Sequence, residues 1–178
     1  METAGPERVV LVGFMGSGKT TVGAELARLM GWTFLDMDMR IEELAGMSVA
    51  EVFRTRGEPA FRAAELRLAR EIATLRGHVV AAGGGAFAQP DTRESLSAGA
   101  LTVWLDCDFE TVMRRVGRGE GRPLASNRAT MRKMFGERQS AYRLADLTVD
   151  ASPEAAEVAR RIGLALEARG ALRRARRG

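Results

Sequence analysis

One stretch, GFMGSGKT at residues 13–20, constrains the fold of this chain more than any other. It matches the pattern G-x-x-x-x-G-K-[ST], follows the β-branched apolar run VVLVGF, and precedes a segment whose apolar residues recur at helical spacing. Glycines in such a turn let backbone N–H groups point at phosphate oxygens, and the following helix N-terminus adds positive potential. The stretch therefore predicts a nucleoside triphosphate site between a first strand and a first helix.

The chemistry of this loop assigns roles to its last residues. The lysine ammonium of Lys19 is expected to reach the β- and γ-phosphates, and the hydroxyl of Thr20 is expected to bind Mg²⁺. A structural glycine turn would not account for a lysine and a threonine at these positions. The predicted nucleotide site comprises six consecutive residues: Gly16, Ser17, Gly18, Lys19, Thr20 and Thr21.

The rest of the chain alternates short apolar runs with amphipathic stretches. Further strands are predicted in TFLDMD, HVVAAGGG, ALTVWLDC and DLTVD, and the clearest helix is EPAFRAAELRLAREIATLRG, which is expected to end at Gly77. Strands that alternate with helices favour a buried parallel sheet covered on both faces. We expect an α/β fold, a three-layer sandwich built on a five-stranded parallel sheet.

Length, composition and charge limit the classes that remain. With 178 residues, 46% of them hydrophobic and 28% charged, the chain is typical of a globular protein, and we expect a single domain over residues 1–168. No apolar run reaches the roughly 18 residues that a membrane span needs, and the first residues lack the features of a signal peptide, so a cytoplasmic location without a membrane partner is expected. A monomer is also expected.

The basic character of the chain is confined to its last ten residues. Residues 169–178, RGALRRARRG, contain five arginines and no acid, so that without them the net charge falls from +4 to −1. We expect this tail to be disordered and solvated, with contact to nucleic acid or an acidic surface as the alternative.

Two carboxylates follow the second predicted strand in the stretch FLDMDMRIE, residues 34–42. On an extended chain, Asp36 and Asp38 would point to the same side, where they could bind a metal, accept a proton or only be solvated. The only histidine, His78, opens a strand, and the only cysteine, Cys107, ends one, so we expect both to be structural. Proton transfer would then fall to a carboxylate.

Arginines and glycines supply candidate groups for a phosphoryl acceptor. Arg62 is followed by Glu65 three residues later, which also allows a plain surface ion pair. Three glycines, residues 83–85, end a strand, where open α/β sheets bind ligands. Arg122 lies in a glycine-containing loop that could close over the site, and Arg138 lies on the next helix; each could also be a solvated surface residue.

Six elements in order resemble the shikimate kinase family from about residue 8 to about residue 165: GFMGSGKTT, LDMDMRIE, GEPAFRAAE, AAGGGA, GRPLA and ERQSAYRLAD. The first is widely shared, whereas the D-x-D, F-R-x-x-E and triple-glycine elements in this order are specific. The resemblance implies a P-loop kinase fold like that of nucleoside monophosphate kinases. It also implies ATP-dependent phosphorylation of the 3-hydroxyl of shikimate, in the route to chorismate and the aromatic amino acids.

The resemblance further implies how the acceptor is held, within a substrate-binding region of about residues 37–65. Asp38 would hydrogen-bond the acceptor hydroxyls and serve as the base. Arg62 and Arg138 would bind the shikimate carboxylate, with the backbone of Gly84 beside the ring. The chemistry of the residues agrees with this, because a planar guanidinium suits the carboxylate of a small hydroxy acid.

At the nucleotide end, the resemblance implies that Asp36 lies by the Mg²⁺ with Thr20 as the direct ligand. Arg122 would be a catalytic arginine that contacts ATP from a lid of about residues 117–127, together with Lys19. Arg115 would lie against the adenine. The chain departs from the common family pattern in RQSAY, where Pro-Leu often precedes the tyrosine, and in DASPEA, where a basic residue often precedes the proline.

Two other classes of function remain open from the sequence. A kinase for another acceptor, such as gluconate or a nucleoside monophosphate, would share the phosphate loop and the lid. A ligand sensor related to shikimate kinases would share the fold, but could lose residues needed for chemistry, and Lys19, Asp36, Asp38 and Arg122 are all present.

Overall fold

A five-stranded parallel sheet forms the middle of the structure, a computed structural model that describes residues 5–117 and 128–170. Its strands lie in the order β2-β3-β1-β4-β5, and each neighbouring pair is parallel. The strands are β1 (Arg8–Val12), β2 (Thr33–Asp36), β3 (His78–Ala81), β4 (Ala100–Asp106) and β5 (Leu147–Asp150). The predicted strands and the parallel α/β sheet are confirmed.

Burial on both faces explains why the central strands are continuous apolar runs. Every residue of β1 is buried, and the three residues Val9, Val10 and Leu11 are completely inaccessible to solvent. β-Branched side chains pack well on a pleated sheet that helices cover on both sides. The first strand therefore lies at the centre of the core, with the phosphate loop directly after it.

Helices connect the strands and cover the sheet. They are α1 (Lys19–Met30), α2 (Met37–Ala45), α3 (Val49–Ile72), α4 (Pro90–Ser97), α5 (Phe109–Val116), α6 (Arg128–Tyr142) and α7 (Ala155–Ala168), with a short 3₁₀ turn at Ala86–Ala88. Across the described ranges, none of these helices combines the length and apolar character needed to cross a membrane.

The helix α3 is interrupted in its middle, where the predicted helix EPAFRAAELRLAREIATLRG begins, and it ends earlier than predicted. It starts with the capping box of Ser48 and Glu51, then bends at Gly57, whose φ of 82° and ψ of 166° are not helical. The part of α3 after this bend corresponds to the helix predicted from Glu58 onward. The prediction that it continues to Gly77 was wrong, because the helix ends at Ile72 and only the chain reversal before β3 follows.

At the amino-terminal edge of the sheet, a buried arginine ties three elements together. Arg8 is 1% exposed and donates hydrogen bonds to the carbonyls of Leu75, after α3, and Ala98, after α4. Burial lowers the pKa of this guanidinium. This edge is thus closed by backbone and side-chain contacts, which leaves the opposite, carboxyl-terminal edge for ligands.

Candidate active site

A cavity of about 1470 Å³ lies across the carboxyl ends of β1, β2 and β3. Parallel strands end at the same edge of the sheet, so the loops that follow them meet there. The predicted residues that line the cavity are Gly16, Ser17, Gly18, Lys19, Thr20, Thr21, Asp36, Asp38, Arg62, Gly84, Arg115 and Arg138. Arg122 and most of the predicted lid, residues 118–127, lie outside the described residues.

The phosphate loop has the backbone geometry that its glycines predict. Gly16 and Gly18 adopt positive φ angles of 76° and 96°. Gly18 is the N-cap of α1 and provides no side-chain cap, so the first N–H groups of the helix are left for a ligand. The Nζ atom of Lys19 donates to the carbonyls of Gly13 at 2.7 Å and Phe14 at 2.9 Å, which brings the ammonium over the loop.

Asp36 and Thr20 form a hydrogen-bonded pair beside this loop. The hydroxyl of Thr20 donates to Oδ2 of Asp36 at 2.8 Å, and Oδ1 of Asp36 accepts from the backbone N–H of Met39 as the N-cap of α2. One carboxylate and one hydroxyl suit Mg²⁺, which usually keeps several waters and takes further ligands from substrate phosphates. The described residues contain no group of three or more His, Cys, Asp or Glu that could hold a metal by themselves.

Asp38 does not share an extended segment with Asp36, contrary to the prediction. The strand ends at Asp36, and α2 begins at Met37, so Asp38 lies in the first helical turn. An aspartate at the N-cap stops the strand and starts the helix, because its side chain satisfies a helical N–H group. The two carboxylates are therefore directed by helical geometry rather than by strand alternation.

Arg62 is held between two glutamates on its own helix. Its Nη1 atom donates to Oε2 of Glu65 at 2.7 Å, and its Nε atom donates to Glu58 at 3.4 Å. Glu65 is 1% exposed and its other oxygen, Oε1, has no hydrogen-bond partner. Burial raises the pKa of Glu65, while the charge and hydrogen bond of Arg62 act in the opposite direction. The simple surface ion pair considered from the sequence is thus partly buried.

Glu65 is a site residue whose position sequence reasoning did not predict. It was recognised only as a partner of Arg62, yet it lines the cavity together with Arg54 and Phe53 of the same helix. The spacing F-R-x-x-E contains the signal, since residues three apart lie on one helix face. Its burial, however, depends on where α3 packs.

The glycines after β3 permit close approach of both acceptor-site arginines. A Cβ atom at Gly85 would lie 2.6 Å from Nη2 of Arg62, and a Cβ atom at Gly84 would lie 3.4 Å from Nη1 of Arg138. The carbonyl of Gly84 also accepts a hydrogen bond from the hydroxyl of the fully buried Tyr142. Side chains at these positions would occupy the space that the guanidinium groups use.

Arg115 joins the phosphate loop to the segment after β5. Its Nη2 atom donates to the carbonyl of Ala151 at 2.9 Å, and its Nη1 atom donates to the carbonyl of Ser17 at 3.3 Å. Ala151, Ser152 and Pro153 line the same end of the cavity. The departure DASPEA therefore still provides a backbone contact for Arg115.

His78 and Cys107 do not line the cavity, as expected for structural residues. His78 begins β3 at the opposite edge of the sheet, with Nδ1 2.7 Å from the carbonyl of Arg76. Cys107 is buried beyond β4, and burial raises the pKa of its thiol.

Comparison with known families identifies this architecture. A sequence model of the family described as shikimate kinase matches residues 15–167. The chain belongs to the shikimate kinase family. It is 43% identical to the shikimate kinase of Moorella thermoacetica over 166 residues, covering 92% of this chain and 96% of that relative. It is 44% identical to the shikimate kinase of Desulforudis audaxviator over 144 residues, covering 80% and 76%.

Solved structures of the shikimate kinase family share the fold. The structure of shikimate kinase from Acinetobacter baumannii in complex with shikimate has a TM-score of 0.86 and 34% identity, covering 94% of this chain and 95% of that one. A gluconokinase from Sinorhizobium meliloti, at 20% identity and a TM-score of 0.61, covering 93% of this chain and 94% of that one, shares the fold alone. The predicted family, P-loop kinase fold and shikimate kinase function are confirmed.

Proposed function

We propose that this shikimate kinase transfers the γ-phosphoryl group of ATP to the 3-hydroxyl of shikimate, giving shikimate 3-phosphate and ADP. The observation that carries the proposal is that one cavity joins a phosphate loop to a cluster of two arginines and two carboxylates. In-line transfer needs the donor and the acceptor in such a shared space.

Arg62 and Arg138 are proposed to bind the carboxylate of shikimate. Both guanidinium groups approach the glycines after β3, and a planar guanidinium donates two parallel hydrogen bonds to a carboxylate. The backbone of Gly84 would lie beside the ring. A neutral sugar or a nucleoside would offer no carboxylate to these two guanidinium groups, which supports an acidic acceptor.

Asp38 is proposed to accept the hydrogen bond of the attacking hydroxyl. Two roles are possible for this carboxylate: it abstracts the proton as a general base, or it only orients the hydroxyl. A loose phosphoryl-transfer transition state needs little help from a base, so both roles are compatible with catalysis. The burial of neighbouring Glu65 and its contact with Arg62 favour Asp38 over Glu65 for this task.

The nucleotide would be held by the loop Gly16–Thr21, with Lys19 on the β- and γ-phosphates and Arg115 against the adenine. Thr20 and Asp36 would hold Mg²⁺, whose charge would neutralise the transferring phosphoryl group. Arg122 is proposed as the lid arginine on the basis of the GRPLA element alone. The single domain over residues 1–168, the monomeric state, the disordered tail and the cytoplasmic location stay predictions from the sequence.

An ADP-release assay with purified protein tests the proposal. Shikimate, gluconate and nucleoside monophosphates are offered separately with ATP and Mg²⁺, and turnover of shikimate is expected. The two lysines provide a matched pair of variants, since Lys133 is an exposed residue of α6 outside the cavity. Lys19→Met should abolish turnover and Lys133→Met should not. Turnover of another acceptor without turnover of shikimate would reject the assignment.

A further inference from the structure

Phe14 fills a position of the phosphate loop that the pattern G-x-x-x-x-G-K-[ST] leaves open. Its side chain is 2% exposed, and the edge of its ring packs against Phe135 of α6, with ring centroids 5.3 Å apart. The Cζ atom of Arg138 lies 5.5 Å from the centroid of the Phe14 ring. A loop residue thus contacts an arginine at the other end of the cavity.

Arg138 is confined on a second side by the sheet edge. Its Nη1 atom lies 3.4 Å from the position of a Cβ atom at Gly84. The carbonyl of Gly84 is itself held by the hydroxyl of Tyr142. The guanidinium therefore lies between the Phe14 ring and the glycine segment after β3. An aromatic ring attracts a cation and restricts its position. This restriction is important for a guanidinium, because it must present two N–H groups in one plane to bind a carboxylate.

We propose that Phe14 is a positioning residue that holds the guanidinium of Arg138 for the carboxylate of the acceptor. The role of Arg138 rests on the proposed function. The backbone of Phe14 also stabilises the phosphate loop, because its carbonyl accepts hydrogen bonds from Nζ of Lys19 and from the N–H of Ser17. The loop that receives the phosphates thereby also fixes a group that binds the acceptor.

The substitution Phe14→Leu removes the ring and keeps an apolar side chain of similar reach. A cation–π contact of this kind is worth about a 2- to 5-fold change in binding. We expect KM for shikimate to rise about 2- to 5-fold, and KM for ATP to rise by a smaller factor. In an Arg138→Met background the same substitution should have no further effect on KM, because the two residues act through one contact. An equal rise in both backgrounds, or no rise in the native background, would overturn the proposal.

Phe87→Leu is the matched control. Phe87 is 1% exposed and has Arg93 over its ring at 6.0 Å, but neither residue lines the cavity. It should lower the melting temperature as Phe14→Leu does and leave KM for shikimate unchanged. A matching rise in KM would mean that loss of any buried ring is sufficient, which also contradicts the proposal.

A measurement without substrate separates this inference from the proposed function. In an NMR spectrum of arginine side chains, the Arg138 signal is identified as the one that disappears in Arg138→Met. The Phe14 ring should shift this signal, and Phe14→Leu should move it, whereas Phe87→Leu should not. An Arg138 signal unmoved by Phe14→Leu would refute the contact even if shikimate is phosphorylated. A moved signal in a protein that does not phosphorylate shikimate would reject only the proposed function.

Discussion

Asp38 and Glu65 approach the same glycine from two different helices. A Cβ atom at Gly83 would lie 2.8 Å from Oδ1 of Asp38 and 2.8 Å from Oε1 of Glu65. The charge of Asp38 is one of the causes that raise the pKa of Glu65, after burial itself. Two acidic side chains can converge after β3 only because the loop has no side chain at this position.

Gly83→Ala should therefore disable the site. Gly83 does not have a positive φ, so alanine fits the backbone and the effect comes from its methyl group. Displacement of a catalytic group by about 1 Å costs on the order of 100-fold in rate, and we expect a loss of this size in shikimate turnover. ATP affinity, measured by calorimetry, should be unchanged.

Gly136→Ala serves as the control for this change. Gly136 lies in α6, and a Cβ atom there would meet nothing within 4 Å. Its replacement should retain full activity and favour the helix slightly. A Gly83→Ala enzyme with normal turnover would show that the carboxylates can move apart without consequence.

Asp38→Asn tests whether the carboxylate accepts the hydroxyl proton. General-base catalysis contributes about 10²- to 10⁴-fold, so kcat should fall by such a factor while ATP still binds. Asp91→Asn is the matched control, because Asp91 occupies the first turn of α4 as Asp38 occupies the first turn of α2. Near-normal turnover of Asp38→Asn would leave the residue with an orienting role only.

Asp36→Asn should raise the Mg²⁺ concentration needed for half-maximal turnover. Asparagine still accepts the hydrogen bond from Met39 as an N-cap, so α2 should stay intact while one negative charge near the metal is lost. Turnover is measured over a Mg²⁺ series at saturating ATP. An unchanged Mg²⁺ dependence would contradict the proposed metal role of Asp36.

The sequence predicts the parts of this fold that follow from local rules. β1 is a run of β-branched residues before a glycine loop, and such a run has few conformations open to it other than a buried strand. The helix α4 was not predicted, because its segment PDTRESLS is polar and only Thr92 and Leu96 are buried. Without an apolar period, nothing local distinguishes it from a loop.

The site shows the same division between local and tertiary information. The loop Gly16–Thr21 could be assigned from spacing alone, since its function depends on its own backbone. The burial of Glu65 could not, because it depends on how α3 packs against the glycine segment after β3. The placement of Asp38 was also missed. The side chain of Asp36 can cap a helix, but the same segment can also continue as a strand, and the sequence alone does not decide between the two.

Arg62→Met should destabilise the protein in a pH-dependent manner. Burial already raises the pKa of Glu65 above its ordinary value of 4.5, and removal of Arg62 raises it further. A raised folded-state pKa contributes stability below 4.5, where Glu65 is protonated in both states, and this stability is lost as the pH rises through the folded-state pKa. The variant should therefore lose more free energy of unfolding at pH 8 than at pH 5, by about 3 kcal/mol for a buried unpaired charge.

Urea unfolding at the two pH values measures this difference. The double variant Arg62→Met with Glu65→Gln removes the titrating group, and its destabilisation should be the same at both pH values. If the destabilisation of the single variant is also the same at both pH values, Arg62 does not stabilise the ionised form of Glu65.

Tyr142 is the only tyrosine of the chain, so its ionisation can be observed directly by ultraviolet absorbance. Burial raises its pKa from 10.0 to about 12, so at pH 10.5 the native protein should show much less tyrosinate than the unfolded chain. The sign follows from the shift: stability is fully present below pH 10.0 and is lost as the pH rises through about 12. In urea the same residue should titrate near its ordinary value.

Tyr142→Phe completes this test because it removes both the signal and the hydrogen bond to the carbonyl of Gly84. Loss of this bond should lower the free energy of unfolding by about 1 kcal/mol. It should also loosen the glycine segment after β3 beside Arg138, and raise KM for shikimate more than KM for ATP. Titration of native Tyr142 near pH 10 would mean that its hydroxyl is solvated, and the support of Gly84 by this residue would then be wrong.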